Sequence, residues 1–182
     1  MNRSQRAILA ALVVAAFGGC SDSTGTRPLP AGTLSVALSG ALSGQFDVRG
    51  AQPMPARREP ATFAAARVSP VSADRYLVSG FRVRDGNRQD LLSLELSGVS
   101  APGRYVTDGN LVLGGVGGGA LPDYVYRITA GAVEVTTLSA TRMTGTFSAT
   151  AVGGAFPGTF PMQPGDTVHL TAGTFDVPIV RP

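Results

Sequence analysis

The side chain with the clearest chemistry in this 182-residue chain is its only cysteine, Cys20. Two arginines, Arg3 and Arg6, precede an apolar run over residues 7–17, and Gly18 and Gly19 separate that run from the sulfur. A basic start, a short greasy stretch and small residues before a boundary make up an export signal. The apolar stretch stops at Gly19, short of the ~20 residues that a helix needs to cross hydrocarbon. Ordinary secretion would leave Cys20 as an odd thiol in an oxidising compartment, which is unusual for an exported protein.

The other residues with chemical potential are scattered. His169 is the only histidine, and with Val168 and Leu170 turned inward on a strand it faces out beside Thr167 and Thr171. No G-x-S-x-G elbow accompanies it, so a Ser/His/Asp reading has no support. Residues 85–90, Asp-Gly-Asn-Arg-Gln-Asp, set oxygen ligands at alternate positions as a calcium loop does, but lack its later Gly and Glu. An Asp-Gly hairpin turn explains the same residues. Residues 111–120, LVLGGVGGGA, imitate a dinucleotide fingerprint, yet Pro122 and the strand-like DYVYRIT beyond it deny the helix start that would hold a pyrophosphate. Arg82, Arg84 and Arg88 read as a solvated face balanced by Asp85, Asp90 and Glu95. No metal or cofactor is expected.

The tetrapeptide Phe17-Gly18-Gly19-Cys20 resembles the lipobox of bacterial lipoproteins, with Phe17 where that family usually has Leu. The resemblance implies cleavage before Cys20 by signal peptidase II, a diacylglycerol on its sulfur and a further acyl chain on its amine. Several chains, at about 0.8 kcal/mol per buried methylene, anchor a protein stably where one would be marginal. Ser21 stands after the cysteine, and the absence of Asp there implies passage to the outer membrane in two-membrane bacteria. The expected partner is therefore a membrane, held through the lipid on Cys20. Residues 1–19 form the signal peptide, 20–32 the lipidated cysteine and a flexible tether, and 33–182 a single β-domain. As a coil, SDSTGTRPLPAG would hold that domain roughly 20 Å from the lipid.

Composition narrows the rest. The formal charge of +3 includes Arg3 and Arg6; without the signal, 13 arginines face 12 acidic residues, a net of +1. Such a surface offers no footprint for nucleic acid. The chain contains no lysine, which removes Schiff-base and phosphate-loop lysine chemistry. With 24 Gly and 13 Pro and no helical periodicity past the signal, the fold is read as all-β.

Alternation places strands at residues 33–39, at Phe46 and Val48, and at 62–68, with a loop over 50–60. A hairpin spans 75–97, with Leu77, Phe81 and Val83 on one face of the first arm and Leu92, Leu94 and Leu96 on one face of the second. An even loop pairs Val83 with Leu92 and Phe81 with Leu94, which turns Arg82 and Arg84 outward. Asp108-Gly109-Asn110 predicts a second hairpin, and Ala130-Gly131 a turn between Tyr126/Ile128 and Val133/Val135. Residues 142–151 alternate a dry face of Met143, Phe147, Ala149 and Ala151 with a wet face of threonine and serine. Apolar parity switches at Gly173, which predicts a bulge or tight bend. Gly-x-Phe recurs at 44–46, 145–147, 158–160 and 173–175, either by coincidence or because similar strands pair at a closing seam.

TGTFSATAV and AGTFDVPI, with Pro102-Gly103-Arg104-Tyr105, resemble a group of small β-rich envelope lipoproteins of unknown function. The expectation is an antiparallel sandwich or barrel of about eight to ten strands. Its expected role is non-catalytic: a membrane-anchored envelope domain making structural or protein contacts. The alternative is a β-barrel module for a small apolar ligand, held in a pocket of several hundred Å³ by residues such as Phe46, Phe81, Tyr126 and Phe147.

Overall fold

The computed structural model describes residues 30–51, 62–84, 88–116, 124–153 and 166–181; the signal, Cys20, most of the tether and the Gly-x-Phe copy at 158–160 lie outside them. Nine strands follow in chain order among the described residues: β1 (Gly32–Gly40), β2 (Gly44–Gly50), β3 (Phe63–Ser69), β4 (Ser72–Arg84), β5 (Arg88–Leu96), β6 (Gly103–Val116), β7 (Tyr124–Leu138), β8 (Arg142–Gly153) and β9 (Thr167–Val180). They hydrogen-bond in the order β2-β1-β9-β3-β4-β5-β6-β7-β8, and β8 returns to β9. Strands β3 to β9 thus close a seven-stranded barrel, and β1 and β2 are the extra pair. These pairings are antiparallel except for the short parallel contact of β3 with β9 at Ala66/Ile179 and Arg67/Val180. Among the described residues there is no helix. The barrel alternative of the sequence reading is the one realised.

Alternation carries the core. Leu34, Val36 and Leu38 of β1, Phe46 and Val48 of β2, and Met143, Phe147, Ala149 and Ala151 of β8 all point inward, as their spacing predicts. On β3 and β5 the core apolar side chains are Ala64, Ala66 and Val68, and Leu92, Leu94 and Leu96. A leucine or valine moved from water to such a site contributes about 1.5–3 kcal/mol.

Three expectations are corrected. The β4/β5 register pairs Arg84 with Arg88 and Phe81 with Leu91, leaving an odd three residues between the arms. Tyr76, Val78 and Gly80 therefore share the inner face with the leucines, and Leu77, Phe81 and Val83 face outward. Residues 103–116 form one strand, not a hairpin: a side chain at Gly109 would strike the Ser93 carbonyl, so the glycine serves close approach of β5. Residues 124–138 are also one strand. The parity change from Ile128 to Val133 is absorbed by a register shift between Ile128 and Ala130 against β8.

Related shifts occur between Val106 and Gly109 on β6, Phe147 and Ala149 on β8, and Ser35 and Ala37 on β1. This line of bulges bends the sheet toward closure. In β9 the predicted switch is present, but Ala172, at φ 51°, takes the left-handed conformation beside Gly173.

The registers also define two ends. The turns at residues 70–71, 97–102 and 139–141 and the end of β9 lie at one end, while β1 starts partway along the wall with Gly32 against Ala64 of β3. The turn at residues 41–43 and the starts of β5, β7 and β9 lie at the other.

Candidate functional site

The most polar part of the interior stands where β4 ends and β5 begins. Arg82 lies opposite Asp90 across the β4/β5 pairing, and both turn inward with Arg84. The Asp90 side chain is wholly buried; the Nε atoms of Arg82 and Arg84 lie 2.7 and 2.8 Å from its Oδ2. Its Oδ1 accepts from Arg84 Nη2 at 2.8 Å and from the Gly114 N–H at 2.9 Å. Gly114 has φ 73° and follows Leu113 where two β6 residues oppose Asp90, so the carboxylate takes up an N–H beside a bulge. Burial alone would raise the Asp90 pKa. The Gly114 N–H and both guanidiniums outweigh it and hold the carboxyl below its ordinary value.

Arg82 reaches further, placing its guanidinium carbon 4.7 Å from the Phe46 ring centroid and donating to the Gln45 carbonyl at 3.4 Å. It thereby ties the free edge of β2 to β4. With three hydrogen bonds and a further ion-pair contact on its two oxygens, Asp90 acts as a clasp rather than as a base open to substrate. Sequence reasoning missed this cluster because a register error of three residues moved Asp90 away from Arg82. The Arg-x-Arg and Asp spacing around a three-residue connection was the available signal.

The four aromatic residues expected to line a ligand pocket do not share a face. Phe46, Tyr126 and Phe147 are buried inside the barrel. Phe81 is turned outward and stacks on its cross-strand partner Phe63, with ring centroids 5.6 Å apart. Desolvation, followed by the charges of Asp166 and Tyr124, raises the Tyr126 pKa, so its phenol stays neutral. Inner-face space left by glycine is occupied: a side chain at Gly80 would meet Phe46, Leu34 and Val48, one at Gly145 would meet Phe175, and one at Gly173 would meet Phe147.

Two adjoining hollows open on the outer wall across β6 to β9. One, about 390 Å³, is lined by Arg104, Glu134, Thr146, Ala172 and Thr174 among others. The other, about 440 Å³, adds Ala130, Thr150, His169 and Thr171, and both share Arg104, Ala132 and Ser148. The alternation that buries Phe147 and Ala149 necessarily presents Thr146, Ser148 and Thr150 here. Ala172, in its left-handed conformation, lines the first of them and is exposed. His169 is exposed, as its spacing predicts, and its Nδ1 lies 3.5 Å from Thr150 Oγ1. Among the described residues no carboxylate hydrogen-bonds that ring. The hollows offer hydroxyls, one guanidinium, one carboxylate, one imidazole and small apolar side chains, a set suited to reversible contact.

Among the described residues no group of three or more His, Cys, Asp and Glu side chains could hold a metal ion. Of the calcium-like run, residues 85–87 lie outside the described set, and Asp90 is engaged by arginine. Comparison with family models, curated proteins and solved structures finds no match.

Proposed function

We propose that this chain is a bacterial envelope lipoprotein, held in the outer membrane through lipid on Cys20, whose barrel works by surface contact and carries out no catalysis. The anchor is supported by Arg3 and Arg6, the apolar run and the Phe17-Gly18-Gly19-Cys20 boundary. The observation that carries the contact role is the division of space. Leu34, Phe46, Leu94, Tyr126 and Phe147 occupy the barrel interior, while the hollows sharing Arg104, Ala132 and Ser148 open on its outer wall. A partner therefore meets threonine and serine hydroxyls, Arg104 and Glu134 on the sheet face.

The test has two arms. Mass spectrometry of the N-terminal peptide from membranes of the native host should find acyl chains on Cys20, and Cys20→Ser should leave the precursor uncleaved and unacylated. A photo-crosslinker at position 148 should capture an envelope component that one at exposed Ala73, on β4, does not. Free mature protein with a bare thiol overturns the anchor; equal labelling from both positions overturns the contact face.

A second reading, a small-molecule module, is favoured by the size of the outer hollows, which falls within the usual range of ligand sites. Native mass spectrometry of host-purified protein would reveal a retained ligand.

A further inference from the structure

We infer that the two outer hollows together hold an acidic oligosaccharide, with the carboxylate of one sugar beside Arg104 and His169 in the second hollow and the hydroxyls of its neighbour in the first. This deepens the contact role proposed above for the same wall and rests on it.

The cross-strand registers lay out the site. Arg104 of β6 pairs with Glu134 of β7, Glu134 with Thr146 of β8, and Thr146 with Thr174 of β9, so one outward row of polar side chains crosses four strands. A second row runs from Ala130 through Thr150 to His169. Between the rows lie Ala132 and Ser148, partners of each other, which line both hollows. At about 4.8 Å from strand to strand, the rows span roughly 14 Å, room for a short oligosaccharide.

Uncommitted side chains select the class of ligand. Among the described residues the side chains of Arg104, Glu134, Thr146, Ser148, Thr171 and Thr174 have no hydrogen-bond or ion-pair partner, although Arg104 and Glu134 stand directly opposite each other. On the same pair of outer strands Arg142 is instead tied to Asp176. The wall's backbone groups are taken up in the β6 to β9 pairings, so a peptide cannot add to this face as a strand. The exposed side chains offer hydroxyls, charges, an imidazole and methyls, which match sugar hydroxyls and the C–H faces of sugar rings and give an apolar peptide anchor no pocket.

Charge sets the orientation. Arg104 borders both hollows, Glu134 only the first and His169 only the second. The second hollow thus has a guanidinium and an imidazole and no carboxylate in its lining, and a guanidinium meets a carboxylate with two parallel N–H donors. In the first, Glu134 accepts from hydroxyls and repels a second carboxylate.

The test titrates the full acylated chain in detergent micelles, by calorimetry, with hyaluronan tetrasaccharide, in which acidic and neutral sugars alternate, with its carboxyl-reduced form, and with an acidic tetrapeptide. The expected result is saturable binding of the acidic sugar alone. Arg104→Gln should weaken it about tenfold or more, the usual loss of a charge-assisted contact. Ser148→Phe, which fills the junction of the hollows, should weaken it as well, while Arg127→Gln, exposed on β7 outside both hollows, should leave it unchanged. Unchanged melting midpoints verify that the variants are folded. Equal binding of the carboxyl-reduced sugar or of the tetrapeptide overturns the assigned class. An equal loss with Arg127→Gln reduces the effect to diffuse charge attraction and overturns the site. No sugar binding, with a crosslinker at position 148 still capturing an envelope protein, overturns this inference and leaves the contact role standing. Absence of any selective crosslink from position 148 is the separate failure of that role.

Discussion

The Phe147 ring lies over Gly173, its direct partner across β8 and β9, so closely that a Cβ on the glycine would stand 2.6 Å from the ring. The relationship is reciprocal. Gly145 pairs with Phe175 and Thr146 with Thr174, so the two Gly-Thr-Phe triplets lie antiparallel and each phenylalanine covers the other's glycine. The two rings sit 6.5 Å apart and tilted. This is where β8 returns to β9 to close the barrel.

Gly173→Ala should therefore cost about 1–3 kcal/mol, because the ring beneath it is held in a packed core. Phe147→Leu should cost less in the Gly173→Ala background than alone, giving a coupling energy of about 1 kcal/mol in urea-unfolding cycles. Strict additivity would contradict the stacked arrangement.

Much of this fold is legible in the chain, and what is not has a common physical origin. Leu34/Val36/Leu38 and Met143/Phe147/Ala151 are strands with one dry face, and their partners read directly as buried. The repeated Gly-x-Phe was visible, but its pairing was not, because the separation of residues 145 and 173 does not set which strands meet. In the sequence Gly109 and Gly131 look like turns because a bulge and a turn use the same residue and both shift apolar parity. Only the neighbouring strand distinguishes them, as the Ser93 carbonyl against Gly109 does. The Arg82/Asp90 cluster disappeared for a related reason: a shift of three residues exchanges the faces of β4.

Asp90 gives a prediction with a sign. Its folded carboxyl titrates below its ordinary value, so its ion pairs contribute in full above the unfolded-chain value of about 3.9 and are lost as pH falls through the lower folded value. Asp90→Asn should destabilise the barrel at neutral pH by about 3 kcal/mol, leaving two guanidiniums without their charge partner. It should also flatten the acid limb of a plot of urea midpoint against pH. An acid limb identical to that of the parent would assign the loss to other carboxylates, such as Asp176, whose pKa is lowered by its hydrogen bond from Arg142.

Ala172 stands at φ 51° in the bulge of β9, where a Cβ costs about 1–2 kcal/mol relative to ordinary backbone. Ala172→Gly relieves that strain but frees the unfolded chain, so the net gain should be about 0.5–1 kcal/mol. The thermal midpoint should rise by a few degrees. A fall would mean that the methyl lining the outer hollow contributes more than its backbone costs.

Gly109 is the converse. Its φ of 139° and the Ser93 carbonyl pressed against it leave no room for a side chain in the middle of the β5/β6 pairing. Were residues 108–110 a solvent turn, Gly109→Ala would cost a few tenths to about 1 kcal/mol, the ordinary backbone penalty. Within the strand the methyl must push β5 and β6 apart beside buried Leu94 and Leu111, so the loss should be about 2–3 kcal/mol or more. Hydrogen exchange locates the damage: amides near Ser93 and Leu111 should lose protection while those of β8 and β9 keep it, because the bulged wall between the two regions can yield before the Phe147/Gly173 closure does.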